Sequence, residues 1–244
     1  MKKMFLWILL SVFLFVGIKG NAYGFGLVNK GNTRPGAGKY ETILKENGGV
    51  YLGPDTKEIY LTFDCGYENG HTKQILEALR NTDTKAIFFI TGHYLNSATD
   101  LVMEMIADGH IIGNHTYSHK DFTKSSNEEI LKDIKKLEDA FQEKTGHQMS
   151  KYVRPPRGEF DERSLKLLKD NGYASVFWSL AYVDWHQDTF HGDQYSYKQV
   201  MKRIHNGAIL LMHTVSKDNA VDLEDIIKKL KNDGYVFKSI DSVI

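Results

Sequence analysis

Two imidazoles four residues apart, in His115-Thr116-Tyr117-Ser118-His119, can offer two nitrogens to one metal ion from a turn or from the first turn of a helix. Leu61-Thr62-Phe63-Asp64-Cys65-Gly66 sets a carboxylate on a glycine turn directly after an apolar run, a rigid seat for a general base or a metal ligand. In Val153-Arg154-Pro155-Pro156-Arg157-Gly158 two prolines stiffen the chain after an arginine whose guanidinium can clamp a carboxylate. Val183-Asp184-Trp185 joins an acid to an aromatic large enough to stack on a sugar ring, and Leu210-Leu211-Met212-His213-Thr214 closes an apolar run with an imidazole. Taken singly, each admits an ordinary structural role. The histidines 115 and 119 could be hydrogen-bonded surface residues, Asp64 a helix cap, Arg154 half of a surface ion pair, Trp185 a plug over the fold and His213 a core residue bonded to backbone. The expectation of chemistry rests on the set.

All five segments fall at the ends of stretches that read as strands. From Ile59 onward, β-rich runs near 59–63, 85–90, 110–114, 151–154, 173–179, 207–213 and 235–238 alternate with amphipathic helical segments. The clearest helix spans 127–145: Ile130, Ile134, Leu137 and Phe141 share a face, Ser126 and Glu129 form a capping box, and Gly146 ends it. Three helices finish alike, at Asp108-Gly109, Asn171-Gly172 and Asp233-Gly234, with glycine where a left-handed cap is needed and a β-rich run straight after. Strands alternating with helices give an α/β fold of parallel strands joined by right-handed crossovers. Seven such units favour a closed or nearly closed barrel over an open doubly wound sheet. In either architecture the strand-to-helix loops open on one face, so Asp64, His115, Arg154, Asp184 and His213 are expected on a single rim.

The composition narrows the classes of function. Met1-Lys2-Lys3, the apolar run from Met4 to Val16 and the small residues Ala22 and Gly24 read as a secretory leader over residues 1–24, removed on export or kept as an N-terminal anchor. Taking Lys2, Lys3 and Lys19 away with it leaves a slightly acidic remainder, with no electrostatic footprint for nucleic acid. Cys65 is the single cysteine, so no internal disulfide is available and stability must come from a core, which 41% hydrophobic residues can supply. Residues 25–57 are glycine-rich without a sustained apolar period and read as an irregular extension wrapping the domain that follows, at 58–240.

Taken in order, Thr62-Phe63-Asp64 with Gly66, His115 with His119, Arg154-Pro155-Pro156, Asp184-Trp185 and Leu211-Met212-His213-Thr214 resemble the five motifs of the polysaccharide deacetylases, the NodB-homology domain of carbohydrate esterase family four. The match runs over about residues 57–240. The resemblance implies a distorted seven-stranded (β/α) barrel, zinc or another divalent cation as cofactor, and removal of N- or O-linked acetyl groups from a glycan. It also implies roles: His115 and His119 as metal ligands, Asp64 as general base, Arg154 keeping Asp64 ionised and aimed, and His213, oriented by Asp184, as proton donor to the departing amine. Trp185 and Leu211 would wall the sugar site. The Phe63–Gly70 loop and the surroundings of Asp184-Trp185 look most like the peptidoglycan N-acetylmuramic acid deacetylases of endospore-forming bacteria. That likeness implies action on muramic residues of spore cortex, on the way to muramic δ-lactam, with peptidoglycan glycan strands as the partner and neither nucleic acid nor a protein partner expected. One position departs: the family's second aspartate is here Cys65, which leaves the third metal ligand open between a Cys65 thiolate, Asp64 and water. Two other functions stay in view, a deacetylase of chitin-like or xylan glycans and a noncatalytic glycan-binding barrel.

Overall fold

The computed structural model describes residues 23–26 and 31–244, so the leader read at 1–24 lies outside the described residues except for Tyr23 and Gly24. The strands in chain order are β1 (Tyr23–Gly24), β2 (Gly49–Val50), β3 (Glu58–Cys65), β4 (Ile87–Ile90), β5 (Ile111–Asn114), β6 (Tyr152–Val153), β7 (Glu159–Phe160), β8 (Ala174–Val176), β9 (Ala208–His213) and β10 (Val236–Phe237). The helices are α1 (Glu41–Glu46), α2 (Thr72–Asn81), α3 (Gly92–Ser97), α4 (Thr99–Ala107), α5 (Asn127–Thr145), α6 (Glu162–Asp170), α7 (Tyr195–Met201) and α8 (Lys217–Asn232).

Period-two alternation in the strands sorts the side chains into two layers. On β3, Ile59, Leu61, Phe63 and Cys65 face outward and pack with Ile75 and Leu79 of α2 and Leu223, Ile227 and Leu230 of α8. Tyr60 faces inward with Ile87, Phe89, Val176 and Ile209. Burial of each aliphatic side chain in the outer layer stabilises the fold by about 1.5–3 kcal/mol. Close packing inside requires Gly113 on β5, because a Cβ there would stand 2.5 Å from the Phe89 ring. Helix α5 carries the expected reciprocal cap between Ser126 and Glu129 and ends on Gly146 at φ 75°.

Every pairing in the main sheet except one bridge is parallel. β3 lies between β4 and β9, β5 follows β4, and β6 and then β8 continue the wall. All seven runs expected to be strands are present, and β10 pairs only with the first two residues of β3. The barrel is distorted at the seam between β8 and β9. Toward the C-terminal ends of the strands a single bridge, Leu180 to Leu210, crosses it. Lower down, β2 pairs with β8 while Leu52 bridges Ala208 of β9, so the segment around 49–52 is wedged into the wall.

That wedge corrects the reading of 25–57 as an irregular wrap. The segment includes a helix and a barrel strand, and its glycines belong to the close packing: a Cβ on Gly49 would meet Leu44 at 2.6 Å and one on Gly53 would meet Tyr60 at 2.3 Å. Glycine-rich composition hid a strand only two residues long. Just before the extension, Tyr23 and Gly24, read as the last residues of the leader, form β1 and pair antiparallel with β7 through Tyr23–Phe160 and Gly24–Glu159, so these two residues belong to the fold.

Candidate active site

The register of the sheet assembles the rim. Asp64 of β3 stands directly opposite His213 of β9. Cys65, Ile90, Asn114 and Val153 form one row across β3, β4, β5 and β6. The residues one step beyond that row, His115 and Arg154, are held by backbone bonds from His115 N to Ile90 O and from Arg154 N to Asn114 O, each 3.0 Å.

Arg154 is fully buried, and its donors are engaged in fixed directions. Nη1 donates to Asp64 Oδ1 at 2.7 Å, Nη2 to Thr62 Oγ1 at 2.9 Å and to the Phe177 carbonyl at 3.1 Å, and Nε to the Val176 carbonyl at 3.0 Å. The guanidinium lies 4.2 Å from the Phe89 ring centroid, which adds a cation–π contact where water is excluded. Burial pushes the Asp64 carboxyl up, but the Arg154 guanidinium foremost, with His115 and His213 beside it, outweighs this, and the net direction is down, so Asp64 is an aimed carboxylate.

His115 Nδ1 donates to the Arg154 carbonyl at 2.8 Å, which leaves Nε2 as the lone-pair nitrogen, 3.5 Å from Asp64 Oδ2. His119 sits with its ring centroid 4.8 Å from that of His115, on an irregular turn. Thr116 and His119 both adopt left-handed backbone, at φ 65° and 53°. The turn is held by Asn114 Oδ1 accepting from Thr116 N at 2.8 Å and Thr116 Oγ1 accepting from His119 N at 2.9 Å. Strain of this kind at non-glycine residues persists only where the surroundings over-determine it. Burial lowers both imidazoles, His119 to about 4, so both are neutral at pH 7.

Cys65 does not join them. It faces the outer layer among α2 and α8 residues, buried, and burial pushes its thiol well above the ordinary range, so the thiolate alternative falls. Among the described residues no three His, Cys, Asp or Glu side chains close on one point as a complete metal cage. Two neutral imidazoles beside a carboxylate, opening on a cavity, nevertheless fit a divalent ion that takes two nitrogens from the protein and oxygen donors for the rest of its shell.

Across the cavity, His213 Nδ1 donates to Asp184 Oδ1 at 2.7 Å, and the His213 backbone N–H donates to Asp184 Oδ2 at 2.9 Å. Burial lowers the His213 imidazole, but Asp184 more than offsets this and the net direction is up. The ring is therefore poised to carry a proton on Nε2.

The cavity between these groups measures about 550 Å³ and is lined by Asp64, His115, His119, His213, Trp185 and Leu211. Arg154 and Asp184 stand behind it as supports. Trp185 is half-exposed, its ring centroid 5.8 Å from that of His213 in an edge-on arrangement, and Leu211 is buried in the opposite layer of the wall. All eight residues singled out in the sequence are thus brought to one site.

Several contributors were missed. Tyr67 lines the cavity, its ring parallel to that of His93 with centroids 5.7 Å apart. Asn69 pins this loop to the carbonyls of Gln187 and Val215. Phe25 and Gly26 supply a wall from the chain's first described segment: Phe25 N donates to Gly158 O at 2.8 Å, and Trp178 Nε1 donates to Gly26 O at 3.0 Å. A cue existed in the isolated aromatics flanked by glycine, but only tertiary pairing reveals their destination. Asn219, behind Asp184, left no cue beyond its place three residues after the Ser216 cap.

Comparison with known proteins agrees with this geometry. A family model described as polysaccharide deacetylase matches residues 52–176. Peptidoglycan-N-acetylmuramic acid deacetylase PdaA of Bacillus subtilis is 44% identical over 213 residues, covering 86% of this chain and 81% of its own length. The solved structure of Bacillus subtilis PdaA, a family 4 carbohydrate esterase, superposes with a TM-score of 0.87 at 41% identity, covering 91% of this chain and 96% of that one. BA3943 of Bacillus anthracis, described as a pseudoenzyme of the same family, superposes with a TM-score of 0.72 at 27% identity, covering 80% of this chain and 68% of that one.

Proposed function

The chain belongs to the polysaccharide deacetylases, carbohydrate esterase family four, a family of hydrolases, and from that premise we propose that it removes acetyl groups from N-acetylmuramic acid residues of peptidoglycan glycan strands. The observation that carries the reading is the pairing of Asp64 with His213 across one rung of the barrel, a held carboxylate and a held imidazole facing a common cavity.

A divalent ion held by His115 and His119, zinc in the simplest case, would act as Lewis acid toward the acetamide oxygen and acidify a water. The protein's own groups handle the protons. Asp64, aimed by Arg154, takes a proton from the water whose oxygen bonds to the acetyl carbon. As the C–N bond breaks, His213 Nε2 gives a proton to the sugar nitrogen, since an amine anion is too poor a leaving group to depart without one. Acetate and amine are released, and exchange with solvent restores Asp64 and His213. Trp185 and Leu211 confine the sugar.

The muramic assignment is supported by the likeness to PdaA and by Arg157, a half-exposed guanidinium on the cavity wall that a lactyl carboxylate would meet. Together with the leader read in residues 1–24, this reading puts the work outside the cytoplasmic membrane, in cell wall or spore envelope, with muramic δ-lactam in cortex as its downstream product.

The test is acetate release from denuded glycan strands, intact peptidoglycan and chitin oligomers. Asp64→Asn and His213→Ala should each reduce the rate on glycan strands by about 100-fold or more with unfolding temperature little changed. Near-parental turnover in either variant would remove that residue from the mechanism. A second reading, glycan binding without turnover, is favoured by Cys65 facing away from the site where the family sets an acid. Strand binding by the metal-loaded protein with no acetate released would establish it.

A further inference from the structure

Asn219 is the third residue of α8, fully buried, and its side chain makes four hydrogen bonds. Nδ2 donates to Asp184 Oδ2 at 2.6 Å and to the His213 carbonyl at 3.0 Å. Oδ1 accepts from the Tyr182 hydroxyl at 2.8 Å and the Ser196 hydroxyl at 2.6 Å, both buried. The amide has one workable orientation: a carboxylate and a carbonyl can only accept, so a flipped amide would set oxygen against oxygen at both. Its backbone is fixed as well, with N–H donating to the capping Ser216 Oγ at 3.2 Å.

This arrangement divides the labour of Asp184. Oδ2 is occupied by Asn219 and the His213 backbone N–H, so Oδ1 is left for the imidazole. Asn219 grips the same histidine from the other side, at its carbonyl. We infer that Asn219 is a positioning residue for the hydrolytic step, clamping Asp184 and the His213 main chain together so that Nδ1 is committed to Asp184 and Nε2 points into the cavity. The inference deepens the proposed function and rests on its assignment of His213 as proton donor to the amine.

A structural role would lower all turnover alike, whereas a role through His213 affects only reactions that need a proton on the leaving group. The experiment compares N-acetylated glycan strands with 4-nitrophenyl acetate, whose phenolate leaves without protonation. Asn219→Leu is expected to lower kcat on glycan strands by about 10- to 100-fold with KM changed less than about threefold, while ester hydrolysis falls less than about threefold. Asn219→Ala removes the donor and the acceptor together without placing a larger apolar group among Tyr182, Ser196 and Asp184. It should show the same split, and it serves as the probe if the leucine variant does not fold. Combined with Asp184→Asn, either substitution should add little to the amide defect, because both act on one unit. Equal loss on both substrates, no loss on either, or full additivity with Asp184→Asn would overturn the inference. His213→Ala is the reference: if it shows no split between amide and ester, it is the proton-donor assignment that fails.

Discussion

The floor and the mouth of the barrel are built on the same strands and the same pleat. At the floor the inward positions are Tyr60, Ile87 and Ile209, packed with Val176 and Ile240. Four residues further along, β3 and β9 present Asp64 and His213 instead. At about 3.3 Å per residue this is a change from apolar filling to buried charge within about 13 Å. The floor stabilises by excluding water and needs no partner of particular geometry. The mouth buries a guanidinium and two carboxylates, each of which costs several kcal/mol to desolvate and is tolerable only because every one is paired and hydrogen-bonded. Parallel strands put helix N-termini at the mouth as well, and the start of α8 lies against Asp184, an end of the helix that favours negative charge. Stability and chemistry are thus segregated along one axis.

Arg154→Leu should produce the largest effect, because it is where that segregation is weakest. The variant strands Asp64 as an unpartnered buried carboxylate, with an expected loss of about 3–5 kcal/mol in unfolding free energy by denaturant titration. Activity should fall by about 100-fold or more. The pH profile gives the cause. A general base works in its ionised form, so its contribution is present above its pKa and is lost as pH falls through it. With Arg154 in place the Asp64 carboxyl lies below its ordinary value; without it, burial acts with less opposition and the acid limb of kcat/KM should move up. An unshifted limb in a stable variant would show that the mouth does not depend on this pair.

Ile209→Ala sharpens the comparison from the other end. Its inward side chain is buried in the floor cluster, and truncation should cost about 2–5 kcal/mol while kcat per folded molecule stays within about twofold. A large loss of kcat in protein shown to be folded would mean that floor packing sets the geometry of the mouth.

The same axis explains what was legible in the sequence. The outer layer and strand ends are written in local patterns: alternation in Ile59–Cys65, the capping box at Ser126, the glycine stops, and ionisable residues where apolar runs end. Those patterns gave the strands and set Asp64, His115, Arg154, Asp184 and His213 at or just beyond their ends, whereas His119 rested on its spacing from His115, and Trp185 and Leu211 as walls of the sugar site on the family resemblance. What could not be read depends on partners far away in the chain. β2 is two residues long and becomes a strand only because β8 offers an edge, β1 only because β7 does, and Asn219 matters only because α8 brings it under Asp184. Cys65 is the instructive case. Its neighbour Asp64 points into the site, so one step along a strand had to send the thiol to the other face, and the alternation already visible in Leu61, Phe63 and Cys65 carried that information.

The smallest effect is expected at the rim of the mouth. Arg157 sits at φ 56°, a left-handed conformation that is uncommon outside glycine, directly after Pro155-Pro156, and its half-exposed guanidinium pairs with Glu159 at 2.7 Å while lining the cavity. Because the group is solvated, a carboxylate contact there is worth less than a buried one, and about a tenfold change in kcat/KM, near 1.4 kcal/mol, is the proper scale. Arg157→Ala should lower deacetylation of muramic-containing strands by that factor and leave chitin oligomers, which have no lactyl acid, within about twofold. Arg157→Lys should fall between the two, keeping the charge but not the paired donors. Stability should hardly move, since an exposed ion pair with Glu159 contributes little. If both substrates decline together, Arg157 acts by holding the Gly158 turn against Phe25 and belongs with the framework. If neither declines, selectivity for muramic residues lies with Tyr67 and Trp185 on the rim.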